Sequence, residues 1–306
     1  MTETPPRATP THDIQITVPL VRDLLDTQFP HYRDLPLTFA GRGWDNEMFR
    51  LGDELAVRLP RREAAAHLAD TELDWLPRVS AEWTFAAPIP VAVGAPSDTY
   101  PWRWGVVPWI EGKRALGEPL NAAGAFDLGV ALAQIHVPAP TGAPINEYRS
   151  VPLSQRRNRL TARLAAIDSH SGWQADAEAI YAAMAAASDA VDPWQGGIWC
   201  HLDLHGNNIL TRQGRLAGIV DWGDAGAGDP ATDLGQAWYL LGSECFAACV
   251  DGYESAGGAG NPRAPRVRAE TIHYALGMAS LEDPEYSESG WRALADLGVA
   301  RRRDET

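Results

Sequence analysis

Apolar residues recur with helical spacing at Val18, Val21, Leu24, Leu25 and Phe29, after a capping Thr17 with Pro19 and before Pro30, so the first element is predicted to be a helix. The period then changes. Leu37–Ala40, Glu47–Leu51 and Leu55–Leu59 are short strand-like runs, separated by Gly41-Arg42-Gly43-Trp44-Asp45-Asn46 and by the turn pair Gly52-Asp53. Ala64, Ala65, Leu68, Leu73 and Leu76 return to helical spacing over 62–76, ending before Pro77, and Pro88–Val93 and Trp102–Trp109 read as two more strands. At Ile110-Glu111-Gly112 the pattern shifts to Ala-rich helical segments over 120–136, 153–168 and 175–190. Ile198–Cys200, a hairpin pattern, and helices over 231–256 and 266–280 complete the chain. This order implies an α+β protein: a disordered leader over 1–12, a strand-rich lobe over 13–110 with one internal helix, and a larger, mainly helical lobe over 111–306.

Composition narrows the partners. At 306 residues and 45% hydrophobic content the chain can bury the core of two lobes. Its 26 Lys and Arg against 40 Asp and Glu leave a net charge of −14, which argues against nucleic acid or an anionic membrane as partner and would attract a cationic small molecule. Three cysteines, Cys200, Cys245 and Cys249, build no disulfide framework, and the last two are read as helix packing. No apolar run reaches membrane-spanning length and the N-terminus has no signal-like apolar stretch, so a cytoplasmic location is expected.

The chemistry concentrates in Cys200–Leu210 and Ile219–Asp224. Asn208–Thr211, the loop Arg212-Gln213-Gly214 and Arg215–Val220 form a hairpin pattern that would fold Asp221 back beside Asn208. An amide oxygen and a carboxylate suit Mg²⁺ with positions left for phosphate oxygens and water. Asp203 could then orient an attacking hydroxyl and accept its proton, as phosphoryl transfer requires. His201, Asp203 and His205 also spell a zinc-like H-x-D-x-H, without a second pair at ligand spacing. Asp229 and Asp233 are expected to cap the following helix and brace the catalytic loop, and His136 to end a helix.

His201-x-Asp203-x-x-x-x-Asn208 followed by Asp221-x-Gly223 resembles the catalytic and metal loops of the aminoglycoside phosphotransferase family, relatives of the protein kinases. The likeness runs from Leu37 to Trp238 through Gly41–Asn46, Ala56–Pro60 and Gly228–Leu234. It implies a protein-kinase-like bilobal fold, ATP as donor with GTP open, and Mg²⁺. By residue, it implies Asp203 as catalytic base in a loop over 201–208, and Asn208 and Asp221 as metal ligands, the latter opening a metal loop over 221–224. Arg58 stands where the family commonly has a lysine reaching the phosphates, a departure because a guanidinium is bulkier and delocalised. Glu72 is its implied ion-pair partner, with Glu63 the rival. Gly41, Gly43 and Asn46 belong to the loop expected to cover the phosphates with backbone N–H groups. Val107–Glu111 is the implied hinge, offering adenine the Pro108 carbonyl and the Ile110 N–H.

The expected activity is ATP-dependent O-phosphorylation of a small molecule, an aminoglycoside-type or other antibiotic. Glu282, Asp283 and Glu285 are the acids that could meet a polycation. The alternatives are a metabolic kinase for a sugar, nucleoside or amino-alcohol, a nucleotide-binding regulator without catalysis, and a metal-dependent hydrolase using His201, Asp203 and His205.

Overall fold

The computed structural model describes residues 11–170, 172–188 and 197–303. Most of the expected leader and the last two residues of the helix expected over 175–190 lie outside them. The class is α+β, and the chain divides into two compact units. One comprises residues 1–81, 86–111 and 220–223, the other 82–85, 112–219 and 224–306.

In the first unit, helix α1 (Val18–Gln28) starts at Thr17, whose hydroxyl accepts the Leu20 N–H, and buries Val21, Leu24 and Leu25 on one face. Strands β1 (Leu37–Arg42), β2 (Asn46–Leu51) and β3 (Leu55–Pro60) are followed by helix α2 (Glu63–Val79), β4 (Ala92–Gly94) and β5 (Trp104–Pro108). The strands form an antiparallel sheet in the order β1-β2-β3-β5-β4. Every second residue of β2, Glu47, Phe49 and Leu51, is buried, and Phe49 and Leu51 pack with Val57, Leu59, Trp104 and Val106 against α1. Gly105 admits α2: a Cβ there would stand 2.8 Å from Leu73 Cδ2.

Three boundaries differ from those expected. β1 runs on through Gly41 and Arg42, which pair with Met48 and Glu47 after a bulge, so the turn shrinks to Gly43-Trp44-Asp45, closed by Gly43 N–H to the Asn46 carbonyl at 2.8 Å. Helix α2 continues past Pro77, because a proline in the last turn removes only one donor and Ser80 N–H still closes on the Leu76 carbonyl. The strand expected from Pro88 forms only at Ala92, since Pro88 and Pro90 have no N–H to give a ladder.

The second unit contains β6 (Lys113–Arg114), α3 (Ala122–Ile135), α4 (Arg157–Ile167), β7 (Trp173–Ala175), α5 (Ala177–Ser188), β8 (Ile198–Cys200), β9 (Ile209–Arg212), β10 (Arg215–Ile219) and β11 (Gly226–Gly228). Helices α6 (Pro230–Ser255), α7 (Pro265–Ala279) and α8 (Pro284–Asp296) and strand β12 (Ala300–Arg302) follow. Its strands pair as β10-β9-β6, β11-β8 and β12-β7. Helices α3 and α6 approach until a Cβ on Gly129 would stand 1.9 Å from the Cys249 carbonyl oxygen and one on Gly252 2.2 Å from that of Phe126, so both positions demand glycine. Cys249 is thus buried in a helix contact, and α6 bends at Gly242, where φ is +68°. A second core gathers Leu160, Trp173, Ile272, Leu276, Trp291 and Leu294. Helix α8 was not expected; Asp283 caps it by accepting from Glu285 and Tyr286 N–H groups.

Candidate active site

The loop from His201 to Asn208 leaves β8 and is pinned from below by the first turns of α6. Asp233, fully buried, takes the His201 N–H on Oδ2 and the Leu202 N–H on Oδ1, both at 2.7 Å, and Gln236 Oε1 takes the Leu204 N–H at 2.7 Å. His136, at the C-terminal cap of α3, meets Asp233 Oδ2 through Nε2 at 3.2 Å and the Tyr253 hydroxyl through Nδ1 at 2.9 Å. Asp229 caps α6 on Ala231 N–H. The clamp holds Leu202 at φ +66°, a left-handed conformation that costs an L-residue about 1–2 kcal/mol. His136, Cys200 and Asp233 also converge closely enough for a metal. Both Asp233 oxygens are already spent on backbone N–H groups, and burial pushes the Cys200 thiol well above its usual pKa, away from the thiolate a metal needs.

This bracing presents Asp203. Its Oδ1 receives Arg149 Nη1 at 2.6 Å and its Oδ2 lies 3.5 Å from both His205 Nε2 and Asn208 Nδ2. Burial alone would raise its pKa, but the His205 hydrogen bond and the Arg149 charge outweigh that and hold the carboxyl at about 2. Arg149 also donates to the Leu202 carbonyl at 3.1 Å and lies 3.6 Å from Asp224 Oδ2. His201 Nδ1 accepts the Asp203 N–H at 3.2 Å, a loop-bracing contact. The hairpin follows directly: β9 and β10 pair from Arg212 opposite Arg215 to Ile209 opposite Ile219, with Gln213 and Gly214 both at positive φ in the two-residue turn.

In the first unit, Arg58 on β3 pairs with Glu72 on α2 through Nη1, and its Nη2 reaches Asp221 Oδ1 at 3.2 Å. Glu72 Oε2 accepts the Trp222 N–H at 3.2 Å. Glu63, the rival partner, instead begins α2 with its N–H on Asp13. Burial raises the Glu72 pKa despite Arg58, and it also works against the Arg58 charge, which Glu72 and Asp221 together secure. Asn46, Arg58, Glu72 and Val107 line one small recess. Gly41 is not among its lining residues and Gly43 belongs to the tight turn. Pro108 ends β5 opposite Leu55, and the Ile110 N–H has no hydrogen-bond partner among the described residues.

Taken singly, Asn208 and Asp221 each offer a donor of the kind that the implied Mg²⁺ takes. Asn208 Nδ2 is committed to the Asp203 carbonyl at 2.9 Å, which leaves its Oδ1 without a hydrogen bond among the described residues. Asp221, half exposed, has no partner on Oδ2 among the described residues while Arg58 holds Oδ1. Both are hard oxygen donors.

Asp203 and Arg149 open onto a pocket of about 550 Å³ within the second unit, whose wall includes Arg156, Arg159, Arg163 and Tyr274. Arg149 and these arginines were not singled out from sequence, and no local signal marked them. Glu282, Asp283 and Glu285, read as acceptor-facing acids, do not line it. His273 does; burial first, then Arg163, Arg156 and Arg159, lowers its pKa to about 2. The folded state therefore leaves His273 unprotonated while the unfolded chain protonates below its ordinary value near 6.5, so stability falls as pH drops. Between pH 6.5 and 5 the loss from this residue should approach about 1.4 kcal/mol per pH unit, and urea midpoints of His273→Gln should show a correspondingly flatter pH dependence than wild type.

A carboxylate on a helix-clamped loop beside a pocket in the second unit, and a strand arginine paired to a helix glutamate in the first, are each of the kind that phosphoryl transfer uses. The match to known proteins agrees. A model of the phosphotransferase enzyme family covers residues 36–270, and the chain belongs to that family of phosphotransferases. Among solved structures it is similar to the GDP complex of wild-type aminoglycoside 2'-phosphotransferase-IIIa, with a TM-score of 0.58 and 16% identity over 91% of this chain and 98% of that one. It is also similar to macrolide 2'-phosphotransferase MphH from Brachybacterium faecium (TM-score 0.58, 22% identity, 89% and 97% covered) and to the streptomycin–ATP–APH(2")-IIa ternary complex (0.57, 20%, 90% and 95%). No curated protein sequence matches it.

Proposed function

We propose that the protein moves the γ-phosphoryl group of ATP onto a hydroxyl of a small molecule held in the pocket beside Asp203. The observation that supports this most is Asp203 itself: an ionised carboxylate, clamped by Arg149 at 2.6 Å, at the wall of a pocket large enough for a sugar-sized acceptor. Asp203 orients the acceptor hydroxyl and takes its proton as the new O–P bond forms and the bond to the ADP oxygen breaks. Asn208 and Asp221 hold Mg²⁺, which when bound neutralises phosphate charge. Arg58, set by Glu72, carries positive charge to the nucleotide phosphates. The β1–β2 hairpin, with Gly41 in β1, Gly43 in its turn and Asn46 opening β2, covers them, and the Pro108 carbonyl and Ile110 N–H meet the adenine. Residues 13–110 thus serve as the nucleotide lobe, and 111–306 carry the catalytic loop over 201–208, the metal loop over 221–224 and the acceptor site.

ATP and GDP in the similar structures support a nucleotide donor, with GTP the alternative. Aminoglycosides and macrolides, named with those structures, make an antibiotic hydroxyl the first acceptor class to try; a metabolic sugar, nucleoside or amino-alcohol is the second. No described helix is long and apolar enough to cross a membrane, and with three free thiols we place the protein in the cytoplasm. Radiolabelled ATP offered with sugars, nucleosides, aminoglycosides and macrolides should yield a labelled small molecule. Tight ATP binding with no label leaving ATP in any mixture would sink the proposal.

A further inference from the structure

The pocket beside Asp203 has a charge opposite to that of the whole chain. Four arginines and two carboxylates, Asp203 and Glu270, line it, in a protein with 14 more acids than bases. Asp203 is matched by Arg149 at 2.6 Å and Glu270 by Arg156 at 2.9 Å. Arg159 and Arg163 have no carboxylate partner among the described residues. Among the described residues Arg159 donates to the Tyr148 carbonyl alone, at 2.9 Å, and rests 5.6 Å from that ring. Arg163 Nη1 donates to the His273 carbonyl at 2.7 Å and lies 3.0 and 3.2 Å from the two ring nitrogens.

Glu270, already paired with Arg156, offsets the Arg163 charge only in part. His273 stays neutral, as its depressed pKa requires, and burial together with Arg159 and Arg156 lowers the Arg163 pKa, the mark of guanidinium groups repelling one another. A guanidinium remains protonated regardless, so the repulsion persists until an anion enters. Gly277 keeps room for Arg163 on α7: a Cβ there would stand 3.0 Å from the guanidinium carbon. Long-range attraction by a net charge of −14 is screened beyond about 10 Å, whereas contacts in a half-buried pocket are not.

We infer that the acceptor carries an acidic group, a carboxylate or phosphate, which Arg163 and Arg159 bind while its hydroxyl faces Asp203. This rests on the phosphotransferase reading above and names the acceptor class for it. A planar fork meeting a carboxylate or phosphate is the strongest ordinary charge-assisted contact, and its loss weakens binding by about 10- to 100-fold.

The test offers the full chain with MgATP three sets of polyhydroxyl compounds of different charge: sugar acids such as D-glucuronate and gluconate, neutral sugars, and amino sugars including kanamycin. ADP release is followed for wild type, Arg163→Gln and Arg163→Glu, after thermal midpoints and ATP affinity show the variants folded. Turnover should concentrate in the sugar acids by tenfold or more in kcat/KM. Arg163→Gln should raise KM for the acid about 10- to 100-fold with KM for ATP unchanged, and Arg163→Glu should shift preference toward the amino sugars. Wild-type turnover highest on amino or neutral sugars, or an Arg163→Gln effect that falls on KM for ATP, overturns the acidic acceptor and leaves phosphoryl transfer standing. ADP release in none of the sets, with ATP bound, overturns phosphoryl transfer and the acidic acceptor with it.

Discussion

Asp203→Asn should lower kcat by about two to four orders of magnitude while leaving ATP affinity within about twofold, the range for loss of a positioned general base. The substitution keeps size and one acceptor oxygen, so the loop geometry set by Asp233 and Gln236 survives. What disappears is the negative charge. A carboxyl held at about pKa 2 is a weak base, so the role proposed for it is to align the hydroxyl and accept its proton late, as charge leaves the nucleophile in a loose transition state. Arg149 loses its 2.6 Å partner in the same variant and is left with the Leu202 carbonyl and Asp224. A small loss of stability is therefore expected beside the large loss of rate. Single-turnover phosphate transfer and nucleotide titration on the same sample separate the two. A variant that retains a tenth of wild-type kcat would remove Asp203 from the chemistry.

The elements that sequence reading recovered are those whose signal is local. Helix α1 carries its own cap and apolar face, and the β9–β10 hairpin its own turn with Gln213-Gly214. The spacing of Asp203, Asn208 and Asp221 is legible for the same reason, because one short loop and one hairpin contain all three. Arg149 sits between α3 and α4 in a segment without periodicity, and nothing in its neighbours foretells a contact with Asp203, 54 residues on in the chain. Arg156, Arg159 and Arg163 look like the solvated face of α4; only packing of α4 near α7 turns that face into a pocket wall. Helix α8 was missed because it has few apolar positions, yet Asp283-Pro284-Glu285 is a cap, N1 proline and first-turn acid in sequence.

Asp233→Ala should be the most destabilising single change near the site. Asp233 is fully buried, and its two oxygens satisfy the His201 and Leu202 N–H groups at 2.7 Å and meet His136 at 3.2 Å. Alanine leaves two buried donors without partners, each worth about 1–3 kcal/mol, and breaks a buried network whose loss runs to about 3–5 kcal/mol. For a protein of this size that lowers the thermal midpoint by roughly 6–20 °C. Leu202 makes the consequence specific: at φ +66° it holds a conformation that the freed backbone would abandon, and Asp203 is the next residue. kcat should therefore fall even well below the midpoint, whereas ATP affinity, which the proposed function assigns to Arg58 and Glu72 in the other unit, should hold. Asp233→Asn retains one carbonyl acceptor and should lie between, its amide nitrogen set against an N–H donor. Calorimetry and ATP titration of the three proteins check this, and an alanine variant melting within 2 °C of wild type would mean that Leu202 is held by something other than the clamp.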